Sequence, residues 1–254
     1  VLPIGLWLAN QSSWHTPFFV LVVLGMIVWG FALYALPRLR GHLEQARRRS
    51  FVQQTAEVFG YATHWWAFAL TVVTIFGQFS VIPYITVYMT ANVGFPESHL
   101  PLVYLVGGSF TFFTSRFIGR WSDRIGKPAV FARMTLLSIG PLLLLTHLPR
   151  VPVWTAIVVS TLFMITISGR MVPMMALVTG TVPPQIRGSF MSVNQAIQQL
   201  SSGTAAFVAG WMIMKGPDGR IQHYNWVGYM AVAFTGVALL VLRRLVAAQA
   251  AAGR

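Results

Sequence analysis

The charged side chains of this sequence are mostly cations, and several of them surround one carboxylate in the segment GRWSDRIGKP, residues 119–128. Asp123 lies among three cations, Arg120, Arg124 and Lys127. A carboxylate in this setting can cap a helix N-terminus or form charge-assisted hydrogen bonds with arginines. Gly119 allows two helices to approach closely, Gly126 permits the positive φ of a reversal, and Pro128 suits the first turn of a following helix. The pattern predicts a charged turn between two helices.

Amide side chains within apolar runs are further candidates for chemistry. Gln195, Gln199 and Ser202 lie at i, i+4 and i+7, so they share one helix face. Such a stripe indicates either a wall that faces water or a ligand, or hydrogen bonds to a neighbouring helix, which use the same residue types. We favour the first interpretation for Gln195 and Gln199.

A proline inside the long apolar run from residue 58 to 96 indicates another candidate site. Pro83 is expected to kink its helix and to free backbone carbonyls that a cavity could use. Gln78 and Tyr84 lie close to it in the sequence and could offer hydrogen bonds to a small molecule.

Helices that cross a membrane are the elements that must position these residues. The chain of 254 residues is 56% hydrophobic and 9% charged, whereas soluble domains carry about 25% charged residues. Residues 58–96 and 188–214 contain no charged side chain, and about 20 apolar residues suffice to span the hydrocarbon as a helix. Backbone groups find no partners in lipid, so these runs must be helical.

Charge and motif content exclude several function classes. The net charge of +13 is distributed between apolar runs rather than gathered on one soluble face, which argues against nucleic-acid binding. Without cysteine the chain has no disulfide or thiolate metal site. It contains no phosphate loop, HExxH or nucleophile elbow. We therefore expect no metal, no cofactor and no enzymatic activity.

The fold class predicted is an all-α membrane protein with seven transmembrane helices. Their approximate bounds are residues 17–36, 61–90, 100–118, 129–148, 152–181, 189–214 and 224–242. Arginine and lysine concentrate in alternate connections, and such residues stay on the cytoplasmic side. The turn at Asp123 and the C-terminus are therefore expected inside the cell.

Residues 38–60, RLRGHLEQARRRSFVQQTAEVFG, form the one polar stretch long enough to be a linker. Leu39, Leu43 and Ala46 could line one side of a short helix on the membrane surface. The arginines in this segment indicate either a topology anchor or a site for anionic lipid or a partner.

The segment GRWSDRIGKP resembles the signature loop of the major facilitator superfamily, which joins the second and third helices of each six-helix half. Gly119, Asp123, Arg124, Gly126 and Lys127 match that loop, and Pro128 departs from it where a further basic residue is common. The resemblance extends from Trp14 to Leu245. Residues 169–210 are similar to the arabinose-efflux-permease-like and drug-efflux branch.

The resemblance implies a division of the chain into four parts. Residues 1–37 would be a remnant of an N-terminal half, comprising the end of its fifth helix and its sixth helix. Residues 38–60 would be the central cytoplasmic linker, 61–246 the C-terminal six-helix bundle, and 247–254 a cytoplasmic tail. We expect a missing N-terminal half as the main partner, with the bacterial inner membrane as the location.

The resemblance also implies a function, secondary active transport by alternating access. We expect proton-coupled export of a small organic molecule such as a drug, sugar or metabolite. A facilitator or importer of the same fold, or a non-transporting membrane scaffold or intramembrane enzyme, is the alternative. The loop would act as a latch between the halves.

Arg170 lies well inside the fifth predicted span, between the uncharged runs 151–169 and 171–186. A charge at the membrane centre costs about 3 kcal/mol or more. By the family's internal repeat, Arg170 is a candidate for a role in proton coupling. The alternative is a structural arginine that binds carbonyls or extends toward headgroups.

Overall fold

A computed structural model describes residues 5, 8–9, 11–35 and 56–252. The chain divides into two compact units, residues 1–51 and 52–254. In the first unit, α1 (Thr16–Ala35) is an uncharged helix of 20 residues, which is long enough to cross a membrane. It corresponds to the first predicted span.

The second unit is built from helices in sequence order, with a small hairpin near the C-terminus. The helices are α2 (Ala62–Phe79), α3 (Ile85–Tyr88), α4 (Leu100–Ile125), α5 (Lys127–Leu137), α6 (Ile139–Thr146), α7 (Val153–Gly180), α8 (Arg187–Met212) and α9 (Tyr224–Ala252). Short 3₁₀ turns occur at Ile82–Tyr84 and Glu97–His99, and a π-helical turn at Met89–Val93. The antiparallel strands β1 (Met214–Lys215) and β2 (Ile221–Gln222) pair Met214 with Gln222.

Within the described residues, six stretches of helix are long and apolar enough to cross a membrane, which confirms the predicted all-α membrane architecture. They are Thr16–Ala35, Ala62–Val93, Glu97–Ile125, Lys127–Thr146, Val153–Gly180 and Tyr224–Ala251. The remaining predicted span is α8, a helix of 26 residues and therefore about 39 Å long. Its amides and serines make it more polar than the other six.

Helices α2 and α7 form the centre of the second unit. Helix α2 packs against α8 and α9, and α7 packs against α4 and α5. One buried cluster joins Phe68 of α2, Phe131 of α5 and Phe190 of α8 near the charged turn. Another joins Tyr88, Leu145 and other residues toward the hairpin.

Pro83 interrupts its helix as predicted: α2 ends at Phe79 and a 3₁₀ turn follows. Proline has no N–H and its ring clashes with the preceding turn, so the regular helix cannot continue. The carbonyl of Val81 in this break accepts a hydrogen bond from the Tyr224 hydroxyl at 3.0 Å. This carbonyl therefore forms a packing contact with α9, whereas the sequence had suggested that freed carbonyls here would serve a cavity.

The charged turn is shorter than the sequence predicted. Helix α4 continues to Ile125, seven residues past the expected end at Ile118, and the reversal is confined to Gly126, whose φ is 93°. Nothing between Gly119 and Ile125 breaks the helix, because a single glycine is tolerated there.

Two details of that segment were wrong. Asp123 lies in the last turn of α4, and Gly126 occupies the N-cap of α5 without a side-chain cap, so Asp123 is not the capping residue. A Cβ atom at Gly119 would meet nothing within 4 Å. Gly119 therefore permits no close helix contact within the second unit.

Some predictions lie at or beyond the limits of the described residues. Residues 36–55 include most of the predicted linker and its possible surface helix, and they lie outside the described part, as does much of the remnant at residues 1–9. At the other end, α9 continues to Ala252, so residues 247–252 of the predicted tail extend the last helix.

Candidate functional site

An open cleft of about 660 Å³ lies where the ends of five helices meet. Asp123 and Lys127 line it beside the α4–α5 turn, with Thr63 from the start of α2, Thr181 from the end of α7 and Gln249 from α9. The alternation of helix directions predicted from the sequence therefore holds within this unit. The side of the membrane on which this end lies stays a prediction.

The signature residues divide between two surfaces of α4. Asp123 and Lys127 line the cleft, whereas Arg124 lines a separate groove with Phe117, Arg120 and Trp121. Asp123, Arg124 and Lys127 are exposed, and the structure gives none of them an ion-pair partner among the residues it describes. Their charges are available to groups outside the second unit.

Arg170 is enclosed by the bundle, with only 1% of its surface exposed. Its Nη2 donates a long hydrogen bond of 3.4 Å to the carbonyl of Thr74 in α2, and its Nε has no hydrogen-bond partner in the described chain. Arg170 lies ten residues before the end of α7, or about 15 Å along the helix axis. Because the surrounding helices enclose its side chain, Arg170 cannot extend toward headgroups in this conformation.

Helix α2, which supplies the Thr74 carbonyl to Arg170, also carries a row of polar side chains. Thr71, Thr74 and Gln78 lie at i, i+3 and i+7, so they share a helix face. The Thr71 hydroxyl donates to Oδ1 of Asn194 in α8 at 2.8 Å. Thr74 Oγ1, Gln78 Oε1 and Asn194 Nδ2 are buried without partners in the part that the structure describes.

Unpaired buried polar atoms cost free energy, about 1–3 kcal/mol each, unless another group satisfies them. Among the buried atoms of Arg170, Thr74, Gln78 and Asn194, both donors and acceptors lack hydrogen-bond partners in the described part of the chain. Thr71 and Thr74 were missed by the sequence analysis, although their spacing from Gln78 was the signal that could have found them. Arg170 contacts the backbone carbonyl of Thr74, whereas the row contacts α8 through the hydrogen bond between Thr71 and Asn194.

Gln78 also lines a small apolar pocket of about 140 Å³ between α2, α3, α4 and α7. Ile85, Met89, Tyr104, Phe163 and Ile167 form most of its walls. The unpaired Oε1 of Gln78 would accept a hydrogen bond at one side of a compact apolar group. This pocket is therefore a candidate site for part of a small molecule.

Tyr84 lies elsewhere, with its hydroxyl directed to α8. The hydroxyl donates to the carbonyl of Ala206 at 2.9 Å, and a Cβ at Gly210 would come within 2.7 Å of it. This geometry holds the broken segment of α2 against α8. A role for Tyr84 in substrate binding stays a prediction.

Gln195 and Gln199 are exposed on the outer face of α8. The opposite face, with Phe190, Asn194 and Ala205, is buried and packs against α2. The two amides thus contribute nothing to the Arg170 row within this unit. A role in lining a cavity requires a further element to cover that face, and it stays a prediction.

The sequence that forms these helices and the signature turn matches the model of a known family. Residues 67–252 match the family model of the Major Facilitator Superfamily. The chain belongs to the Major Facilitator Superfamily. The match confirms the family resemblance inferred from the signature residues. Members of this superfamily are membrane transporters and not enzymes.

Two relatives of this superfamily member come from Bacillus subtilis (strain 168). The Uncharacterized MFS-type transporter YceJ is 25% identical over 236 residues, which cover 92% of this chain and 57% of the relative. The Uncharacterized MFS-type transporter YbcL is 22% identical over 241 residues, which cover 95% of this chain and 59% of the relative. The chain spans less than three fifths of the length of these two relatives.

Proposed function

We propose that the full-length protein is a secondary active transporter that exports a small organic molecule in exchange for protons. Family membership supports transport. The observation that carries the proposal of coupling is Arg170, a cation that the bundle encloses and that has no carboxylate partner among the residues the structure describes. An uncompensated charge in this position is costly, and a mobile anion or a carboxylate that exchanges a proton would relieve that cost.

The proton carrier is proposed to lie outside the residues described. Among the described spans, Glu97 and Asp123 lie near opposite ends of Glu97–Ile125, and the sequence places no Asp or Glu in the interior of any predicted span. A carboxylate from an N-terminal half, facing the layer of Arg170, would lose its proton more readily because of the nearby positive charge. Because the second unit alone encloses Arg170, the helices around it would have to separate in one state of the transport cycle for the two groups to meet.

The signature turn is proposed to act as a latch on the cytoplasmic side of the bacterial inner membrane. The exposed Asp123 and Lys127 at the cleft support this, because their charges are open to a partner half. The C-terminus is proposed to lie on the same side.

The experiment is a proton-flux assay on the full-length protein in vesicles, with ethidium and labelled arabinose as the two probes. Arg170→Gln should reduce proton-driven transport roughly tenfold or more, because a buried charged hydrogen bond contributes about 1.5–3 kcal/mol. Arg170→Lys should retain part of it, and Arg187→Gln, exposed at the start of α8, is the matched control. Full transport by a well-folded Arg170→Gln protein would contradict coupling through this residue.

The same vesicles test the latch. Asp123→Asn should slow transport, whereas Asp218→Asn, which removes an exposed carboxylate from the hairpin at the other end, should not. Equal rates for the wild-type and Asp123→Asn proteins would refute the latch without affecting the proposal for Arg170. A transport rate of either probe that does not depend on the pH gradient would indicate a facilitator.

A further inference from the structure

A groove of about 160 Å³ lies on the outer face of α4 near its C-terminal end. Its walls are two arginines and two aromatic rings: Phe117, Arg120, Trp121 and Arg124. These residues lie at i, i+3, i+4 and i+7, so one helix face carries the whole groove. The groove is separate from the cleft at Asp123 and from the buried Arg170.

Cations extend the groove in two directions. Arg116 lies one turn before Arg120 on α4, and the guanidinium of Arg133 on α5 lies 5.6 Å from the centre of the Trp121 ring, within the range of a cation–π contact. All four arginines are exposed. Within the described chain none of them has an ion-pair partner, and the adjacent Asp123 lines the other cleft.

Apolar side chains continue from the groove toward the middle of α4. Phe113 is 70% exposed and Phe117 is 69% exposed. The two rings lie one turn apart on the same helix as the arginines. Trp121 is held in place because it packs against a buried cluster of Ile118, Val130 and Met134.

We propose that this groove binds the phosphodiester headgroup of an anionic phospholipid of the phosphatidylglycerol type. Arginine forks match phosphate oxygens bidentately, so Arg120 and Arg124 would hold the phosphate. Arg116 and Arg133 add positive charge around it, and the acyl chains run along Phe113 and Phe117. Basic pockets beside spanning helices on the cytoplasmic side suit such headgroups.

The arginines are accompanied along α4 by exposed phenylalanines, and this combination favours a lipid over a soluble phosphate. A free phosphate would need only the arginines, whereas the exposed rings of Phe113 and Phe117 offer apolar contact that only an attached hydrocarbon chain can use. The site does not depend on proton coupling or on the direction of transport. A failure of lipid binding would therefore leave the proposed function intact, and a failure of the proposed function would leave the lipid site intact.

The test is lipid retention by the full-length protein in detergent, measured by native mass spectrometry with added phosphatidylglycerol or phosphatidylcholine of equal chains. The wild-type protein should prefer phosphatidylglycerol. The Arg120→Gln/Arg124→Gln double variant should bind it about thirtyfold more weakly, the size expected for two arginines at a membrane surface. Arg243→Gln/Arg244→Gln removes two exposed arginines from α9 and is the matched control, expected to bind as the wild type does.

Three outcomes would overturn the proposal. Equal losses in the two double variants would show an unspecific attraction to net charge. No preference for phosphatidylglycerol in the wild type would refute the headgroup site. Displacement of the lipid by inorganic phosphate at millimolar concentration would assign the groove to a soluble anion. Because the mutated arginines are exposed, folding is checked by an unchanged Tm, and Arg120→Lys/Arg124→Lys should restore part of the binding.

Discussion

At the scale of single residues, one close helix contact in the second unit depends on a glycine. Gly228 of α9 packs on Thr146 of α6, whose Cβ and Cγ2 would lie 2.9 and 3.1 Å from a Cβ at position 228. The Thr146 hydroxyl would also be in contact, and it is held by a bond to the carbonyl of Leu142 at 3.0 Å. Rotation of Thr146 cannot relieve the overlap, because all its branches lie close.

Gly228→Ala is therefore expected to destabilise the bundle by about 1–3 kcal/mol, the usual cost of overpacking. This corresponds to a fall of several degrees in Tm, since about 1 kcal/mol shifts Tm by about 2–4 °C in a domain of this size. The measurement is thermal unfolding in detergent. Gly236→Ala on the same helix is the control, because a Cβ there meets nothing within 4 Å and alanine favours the helix. A higher Tm for Gly228→Ala would disprove the close contact.

At the scale of elements, one asparagine attaches the hairpin to the end of the second span. Asn92 Nδ2 donates to the carbonyl of Ile221 at 2.7 Å, and Asn92 Oδ1 accepts from the Ile221 N–H at 2.8 Å. The side chain thereby acts as an additional strand residue beside β2. A hairpin of two residues per strand is too short to be stable alone, so this pair determines its position.

Asn92→Asp should loosen the hairpin at neutral pH by about 1–3 kcal/mol, because the carboxylate keeps the acceptor but loses the donor to the Ile221 carbonyl. Hydrogen exchange of the β1–β2 amides should accelerate accordingly. Below about pH 4 the protonated carboxyl regains a donor, so the stability difference from wild type should narrow as pH falls. Gln222→Glu adds the same charge to an exposed position of β2 and should leave exchange unchanged. Equal protection of Asn92→Asp and wild type at pH 7 would argue against this attachment.

At the scale of the whole molecule, the distribution of arginine predicts orientation. The cleft shows that the start of α2, the α4–α5 turn, the end of α7 and the end of α9 lie together at one end of the second unit. Most arginines of this unit are near that end, and the hairpin end carries few. The positive-inside rule assigns the arginine-rich end to the cytoplasm.

Single cysteines test this orientation in the full-length protein, with any other cysteines removed. Ser98 and Gln185 are exposed in connections at opposite ends of the second unit. A membrane-impermeant maleimide added to intact cells should label Ser98→Cys and spare Gln185→Cys, and permeabilisation should expose both. The reverse pattern would place the signature turn outside and refute the predicted topology.

The sequence alone determined the spans, their order and the family. Apolar runs set the helices because lipid offers no partners to the backbone, and Pro83 and Gly126 marked real breaks because their backbone constraints are local. The sequence also identified Arg170 as an anomaly, since a charge in an apolar run needs no tertiary information to be noticed.

Tertiary structure decided which residues share a site. Thr74 and Arg170 are 96 positions apart in the chain, and no local pattern relates them. Tyr84 and Gln195, like Gln78, were candidates because they are polar residues within apolar runs. Tyr84 nevertheless contacts α8, and Gln195 lies on an exposed face. Periodicity gives the face on which a side chain lies, but the neighbour of that face depends on how helices pack, which side-chain shapes along the entire interface determine together.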